Sequence, residues 1–278
     1  AAPSAVAKGT WSMVPMSKDA NGDGFIDGDG GVPARGALSL QPARTFVGQG
    51  NGIAQPNERL INGSLSWYLD DAGYPVRLDA CASTGDRYTW TITGPGGTRT
   101  TPERALRKRT CRTTVLLPEG ATTFTLTVTK GTASASTVLT GQVRNILIVA
   151  LGDSYASGEG NPRNVGAWLD SGSLLTPFDP YWDDDPCNRS VHGATAQAAL
   201  ALEKSSPKTS VTLVDVACGG ATIPSGIIGP QRNAGQAQSQ IEQVRGIVRG
   251  RPIDVVTLSV GGNDIGFAQV LTACATNQ

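Results

Sequence analysis

The sequence predicts an all-β sandwich followed by an α/β three-layer domain that is incomplete on this chain. Between about residues 63 and 143, short runs rich in Thr, Val and aromatics alternate polar with apolar positions and are separated by turn signals. After residue 143 the period changes. Residues 146–151 form a continuous apolar run, as in a parallel strand covered on both faces, and strand-like and helix-like segments then alternate. At 278 residues the chain is long enough for two modest domains, each with its own core.

Residues 1–62 read as an irregular segment in which Pro, Gly and Asn recur and no period lasts. Inside it lies Asp19-Ala20-Asn21-Gly22-Asp23-Gly24-Phe25-Ile26-Asp27-Gly28-Asp29-Gly30. Asp19, Asn21, Asp23 and Asp27 fall on the oxygen-donating positions of a calcium loop. Phe25 supplies the backbone carbonyl position, and Gly24 and Ile26 sit where the loop turns and anchors. The twelfth position departs from the pattern, with Gly30 in place of the bidentate Glu, and Asp29 is the candidate substitute. A structural calcium ion is expected here; the alternative is an Asp/Gly-rich turn without metal. No cofactor is expected for catalysis.

The second segment, 63–143, is read as strands at 76–81, 88–93, 113–117, 124–128 and 137–139, with turns at 94–97 and 118–120. It resembles the Ig-like or PKD-like modules of bacterial exoenzymes, with Trp90 as the core aromatic and Cys81 paired with Cys111 across the sandwich. The basic run 104–112 is expected to be a solvated hairpin tip.

The third segment, 144–278, is read as strands at 146–151, 211–216 and 255–260, with helices at 194–204, 238–248 and from 265 onward. Its first strand runs into Gly152-Asp153-Ser154-Tyr155-Ala156-Ser157-Gly158. A serine at the C-terminal end of a parallel strand stands where α/β sheets place their ligand crevice. Ala156 excludes the G-x-S-x-G elbow, no Gly-Lys-Ser/Thr follows for a phosphate loop, and Arg163 breaks a dinucleotide fingerprint. On this motif alone a plain strand-to-helix turn stays open.

Two further blocks stand at strand ends: Ala217-Cys218-Gly219-Gly220-Ala221 and Val260-Gly261-Gly262-Asn263-Asp264. With these three blocks in order, the chain from about residue 145 onward resembles the GDSL/SGNH hydrolases, whose domain is flavodoxin-like. Cys187-Asn188-Arg189-Ser190 and the Ala-Cys-Gly-Gly-Ala block resemble the secreted actinobacterial branch of esterases and lipases. The resemblance implies Ser154 as nucleophile, with the Ser154 and Gly220 backbone N–H groups and the Asn263 side-chain amide as the oxyanion hole. It also implies a Cys187–Cys218 disulfide. Asp153 and Asp264 read as structural.

The family's final D-x-x-H block, which supplies the catalytic base and its orienting acid, is absent. The chain's one histidine, His192, lies between the first two blocks and reads as a helix-start residue. The economical expectation is a second polypeptide, or a missing C-terminal segment, that carries D-x-x-H. A bond from Cys274 to a cysteine beyond Gln278 would then account for the odd count of five cysteines. A shortened polypeptide is the rival explanation.

The implied activity is carboxylic-ester hydrolysis through an acyl-enzyme. Lipid, acylated saccharide and polyester substrates all stay open, and the aromatics Trp168, Phe178, Tyr181 and Trp182 are expected to wall the site. The alternative is a non-catalytic binding or cell-wall module with a vestigial esterase domain. Basic and acidic residues number 23 each and are interspersed, which gives no pull toward nucleic acid. No apolar run approaches the ~20 residues of a membrane span. Scattered cysteines and the small-residue start Ala1-Ala2-Pro3-Ser4-Ala5 lead to the expectation of a processed, secreted protein; a polypeptide trimmed at its start is the alternative.

Overall fold

The structure is a computed structural model that describes residues 4–14, 73–161, 185–190, 192–248 and 250–276. The calcium-like loop from Asp19 to Gly30 lies outside these residues, as do Trp168, Phe178, Tyr181 and Trp182. The described residues divide into two compact bodies. One is drawn from 4–14, 73–145 and 205–210, the other from 146–161, 185–204 and 211–276.

The first body consists of two antiparallel sheets. Strands β1 (Thr10–Met13), β2 (Tyr74–Asp79) and β6 (Arg112–Leu117) form one, in the order β1-β2-β6. The second has the order β4-β3-β7-β8, from β3 (Arg87–Gly94), β4 (Gly97–Thr100), β7 (Gly120–Lys130) and β8 (Ala133–Val143), with the two-residue β5 (Arg104–Ala105) also on β3. Alternation sets which face is buried. Tyr88, Trp90 and Ile92 of β3 and Phe124, Leu126 and Val128 of β7 point inward, as do Val76 and Leu78 of β2. Trp11 of β1 stacks on Phe124 with ring centroids 5.1 Å apart, so the inner faces of the two sheets meet. Outward threonines pair across strands, as in Thr91–Thr100 at 3.1 Å and Thr93–Thr98 at 3.0 Å.

Three local readings change here. Thr10–Met13 is a strand, although it falls in the stretch read as irregular; four residues are too few to display a period, and its pairing with β2 settles its form. Residues 205–210 belong to this body rather than to the α/β segment. Lys208 donates to the Trp11 carbonyl and lies 3.9 Å over the Trp11 ring. The turn at 94–97 is the tip of a hairpin whose return strand, β4, is exposed throughout and so shows no apolar alternation. In the basic run, Arg112 pairs with Asp79 at 2.6 Å. Burial pushes the Asp79 carboxyl up, but bonds from Arg112 and the Cys81 N–H outweigh it and hold it below the usual range. Cys81 is bonded to Cys111.

The second body is built on a parallel sheet of order β10-β9-β11, from β9 (Asn145–Gly152), β10 (Ser210–Asp215) and β11 (Val255–Ser259). Helix α2 (Ala194–Ser205) covers one face, where Ala196, Ala199 and Leu200 pack on Ile148, Ala150, Val211 and Leu213. Helix α3 (Gln240–Val248) covers the other, where Val244 and Val248 pack on Leu147, Val149, Val214 and Val216. Continuous apolar strands are what a sheet covered on both faces requires. Strand β11 at the edge and helix α4 (Phe267–Thr276) are by contrast exposed. Among the described residues no helix is long and apolar enough to cross a membrane.

Candidate active site

Strand β9 ends in a turn that only glycine can make. Gly152 has φ +144°, and a Cβ there would stand 2.0 Å from the Ser259 carbonyl oxygen of β11. The close approach joins the two strand ends, and the Asp153 N–H donates to the same oxygen at 2.9 Å. Asp153, 3% exposed, caps the short helix α1 (Ser154–Ser157) by accepting the Tyr155 N–H at 3.1 Å. Its carboxylate is thus committed to the turn. Ser154 is the first helical residue, half-buried, and among the described residues no partner takes its Oγ–H or its N–H.

The second block lies beside the first. Cys218 N–H donates to the Gly152 carbonyl at 3.1 Å, and Cys218 is bonded to Cys187, whose carbonyl accepts the Gly219 N–H at 2.9 Å. Gly220 has φ +75°, and the nearest atom to a Cβ built on it is Gln231 Nε2 at 3.6 Å. Glycine is therefore required at 220 by backbone conformation, not by crowding from the protein. Its N–H has no acceptor among the described residues.

The third block follows β11. Asn263 is exposed, and its Nδ2 donates to the Ala221 carbonyl at 2.9 Å, tying this loop to the second block. Asp264 accepts the Ile223 N–H on both oxygens, at 3.0 and 3.3 Å. The three sequence blocks thus occupy the C-terminal ends of three adjacent parallel strands, joined by hydrogen bonds. Strand β9 lies in the middle and its two neighbours follow it in sequence, so the three blocks stand at a switch in strand order, where open α/β sheets place their ligand crevice.

Two glutamines at this end have no counterpart in any sequence motif. Gln240, 2% exposed, places its amide against the Gly152 peptide. Its Oε1 accepts the Gly152 N–H and its Nε2 donates to the Gly152 carbonyl, both at 2.8 Å. Gln231, also 2% exposed, donates from Nε2 to the Gly219 carbonyl at 2.7 Å. The start of α3, which carries Gln240, is fixed by a reciprocal cap. Ser239 N–H and Oγ–H donate to Glu242 Oε2 at 2.9 and 3.0 Å, and Glu242 N–H donates to Ser239 Oγ at 3.2 Å. The Ser239-Gln240-Ile241-Glu242 spacing could have announced that cap.

His192 stands in the turn before α2, and its N–H donates to Ser190 Oγ at 3.1 Å. The Ser190 N–H in turn donates to the Ser157 carbonyl at 2.9 Å, which places this turn beside α1. Cys274 is a free, exposed cysteine on α4. No group of His, Cys, Asp and Glu among the described residues has the arrangement to hold a metal ion.

No family model and no curated protein matches the chain. Among solved structures it is similar to a carbohydrate acetylesterase from Xanthomonas citri, at 11% sequence identity and a TM-score of 0.22 over 69% of this chain. The chain spans about half the length of that protein, 48% of it. A likeness this remote fixes neither fold nor chemistry.

Proposed function

We propose that the protein is a secreted carboxylic-ester hydrolase of the GDSL/SGNH type, with Ser154 as nucleophile and a flavodoxin-like α/β domain following an Ig- or PKD-like sandwich. The observation that supports this best is the convergence of Ser154, Gly220 and Asn263 on one end of the parallel sheet, with hydrogen bonds between neighbouring blocks. Ser154 Oγ attacks the ester carbonyl carbon while a base accepts its proton. The carbonyl oxygen becomes an oxyanion facing the Ser154 and Gly220 N–H groups and the Asn263 amide. Collapse of the tetrahedral intermediate breaks the bond to the leaving alkoxide, which takes the proton back from the base and departs as the alcohol. Water then cleaves the acyl-serine by the same route in reverse.

On this reading the base belongs to a D-x-x-H block on a further segment or second polypeptide, because Arg189 stands where that spacing would put the acid before His192. The two disulfides agree with an oxidising, extracellular location. A structural calcium ion in the loop from Asp19 to Asp29 is part of the same proposal.

The test is hydrolysis of p-nitrophenyl acyl esters by the assembled enzyme and its Ser154→Ala variant. Loss of turnover and of fluorophosphonate labelling, with unchanged melting temperature, is expected. Near-normal turnover without Ser154 removes the assignment.

A further inference from the structure

The peptide units around Gly220 are anchored unequally. The unit joining Cys218 to Gly219 is held at both polar groups: the Gly219 N–H donates to the Cys187 carbonyl, and the Cys218 carbonyl accepts the Ala221 N–H at 3.1 Å. That second bond also holds the unit joining Gly220 to Ala221. The unit between them joins two glycines, the pair least able to resist rotation by side-chain sterics. Among the described residues its one anchor is Gln231 Nε2 on the Gly219 carbonyl. In a trans peptide the carbonyl and the following N–H point in opposite directions. Fixing the Gly219 carbonyl therefore fixes where the Gly220 N–H points.

Only one end of this glutamine amide is used. Its Oε1 is buried with no partner among the described residues, and an orphaned buried acceptor costs about 1–3 kcal/mol. An apolar residue of similar length would avoid that cost but lose the bond to the Gly219 carbonyl, so the two effects roughly offset in stability. Its side chain caps no helix either, although its backbone precedes a short 3-10 turn.

We propose, given the esterase reading above, that Gln231 is a positioning residue. It aims the Gly220 N–H into the oxyanion hole by holding the carbonyl on the opposite edge of the same peptide. It touches neither substrate nor reacting atoms and acts through the Gly219–Gly220 peptide alone.

Steady-state kinetics on p-nitrophenyl acetate with the assembled enzyme test this through two variants. Gln231→Met keeps length and removes the donor. It should lower kcat about tenfold, less than the ~100–1,000-fold that follows outright loss of an oxyanion donor, with KM within about twofold and no drop in melting temperature. Gln231→Glu keeps the shape but cannot donate when ionised, while its protonated carboxyl can. Its activity relative to wild type, taken at each pH so that the base cancels, should recover as the pH falls. That profile decides the matter even if the Met variant does not fold. Wild-type kcat in Gln231→Met, a flat activity ratio in Gln231→Glu, or a loss confined to KM and melting temperature would each overturn the role of Gln231. Any of these with Ser154→Ala inactive leaves the esterase reading standing, whereas an active Ser154→Ala enzyme removes both.

Discussion

The side-chain amide of Asn263 has two N–H groups, and among the described residues only one has a protein acceptor. It donates to the Ala221 carbonyl, and Asn263 is exposed beyond the C-terminal end of β11. A donor already fixed by its partner bond needs no reorganisation as charge develops on a substrate oxygen. Asn263→Ala is therefore expected to lower kcat by ~100–1,000-fold with KM little changed. A change in KM alone would move Asn263 out of the oxyanion hole. At this scale the placement of Ser154, Gly220 and Asn263 at strand ends was legible because each stands in a short block after an apolar run. Gln231 and Gln240 were not, since a glutamine that pairs with backbone leaves no local pattern. The partner of Gln240 lies 88 positions away in sequence. The conformation that requires glycine at 220 was not legible, because a positive φ cannot be read from composition.

Among the elements, strands were read well wherever burial imposes a period. The alternation of β3 and β7 follows from one covered face, and the continuous run of β9 from two. Strands β1 and β4 were missed because one is four residues long and the other has no buried face. The cap on α3 leads to a prediction of its own. Bonds from the Ser239 N–H, then from its hydroxyl, hold the Glu242 carboxyl below the usual carboxylate range. A depressed carboxyl contributes stability above its unfolded value, and that stability is lost as the pH falls through the folded value. Ser239→Ala removes the cap and is expected to be destabilising at pH 7. The gap to wild type should narrow toward pH 3, where wild type also loses the share carried by the carboxylate. Chemical denaturation at the two pH values measures both gaps, and an equal gap at each would show that Glu242 takes no part. Because the cap sets the start of α3, and Gln240 holds Gly152 from there, kcat should fall with it.

For the whole molecule, the sequence places the change of period near residue 143, but the boundary between bodies is not a single point. Residues 205–210 return to the first body, held there in part by Lys208 on Trp11. A long-range return of six residues carries no compositional mark. The second body has one feature that the period did announce. Residues 255–259 are as apolar as a parallel strand should be, yet Val255, Val256 and Leu258 are 41–58% exposed. Helix α4 carries no charge, buries no residue, and exposes Phe267, Val270 and Leu271. Phe267, Val270 and Leu271 share one face of α4 opposite Gln269, Thr272 and Thr276, and such an apolar stripe is stable in water only when covered. Among the described residues β11 is also an uncharged, apolar edge strand, which recruits other strands. The polypeptide on its own is therefore expected to self-associate in the micromolar range, with concentration-dependent sedimentation under reducing conditions that exclude crosslinking through Cys274. Val256→Lys combined with Val270→Glu should shift it toward monomer without lowering the melting temperature, because neither side chain is buried. A second polypeptide that pairs with β11 should have the same effect by covering the surface. A wild-type chain that stays monomeric across the whole concentration range would show that β11 and α4 are stable uncovered, and would remove the structural reason for a segment docking at that edge.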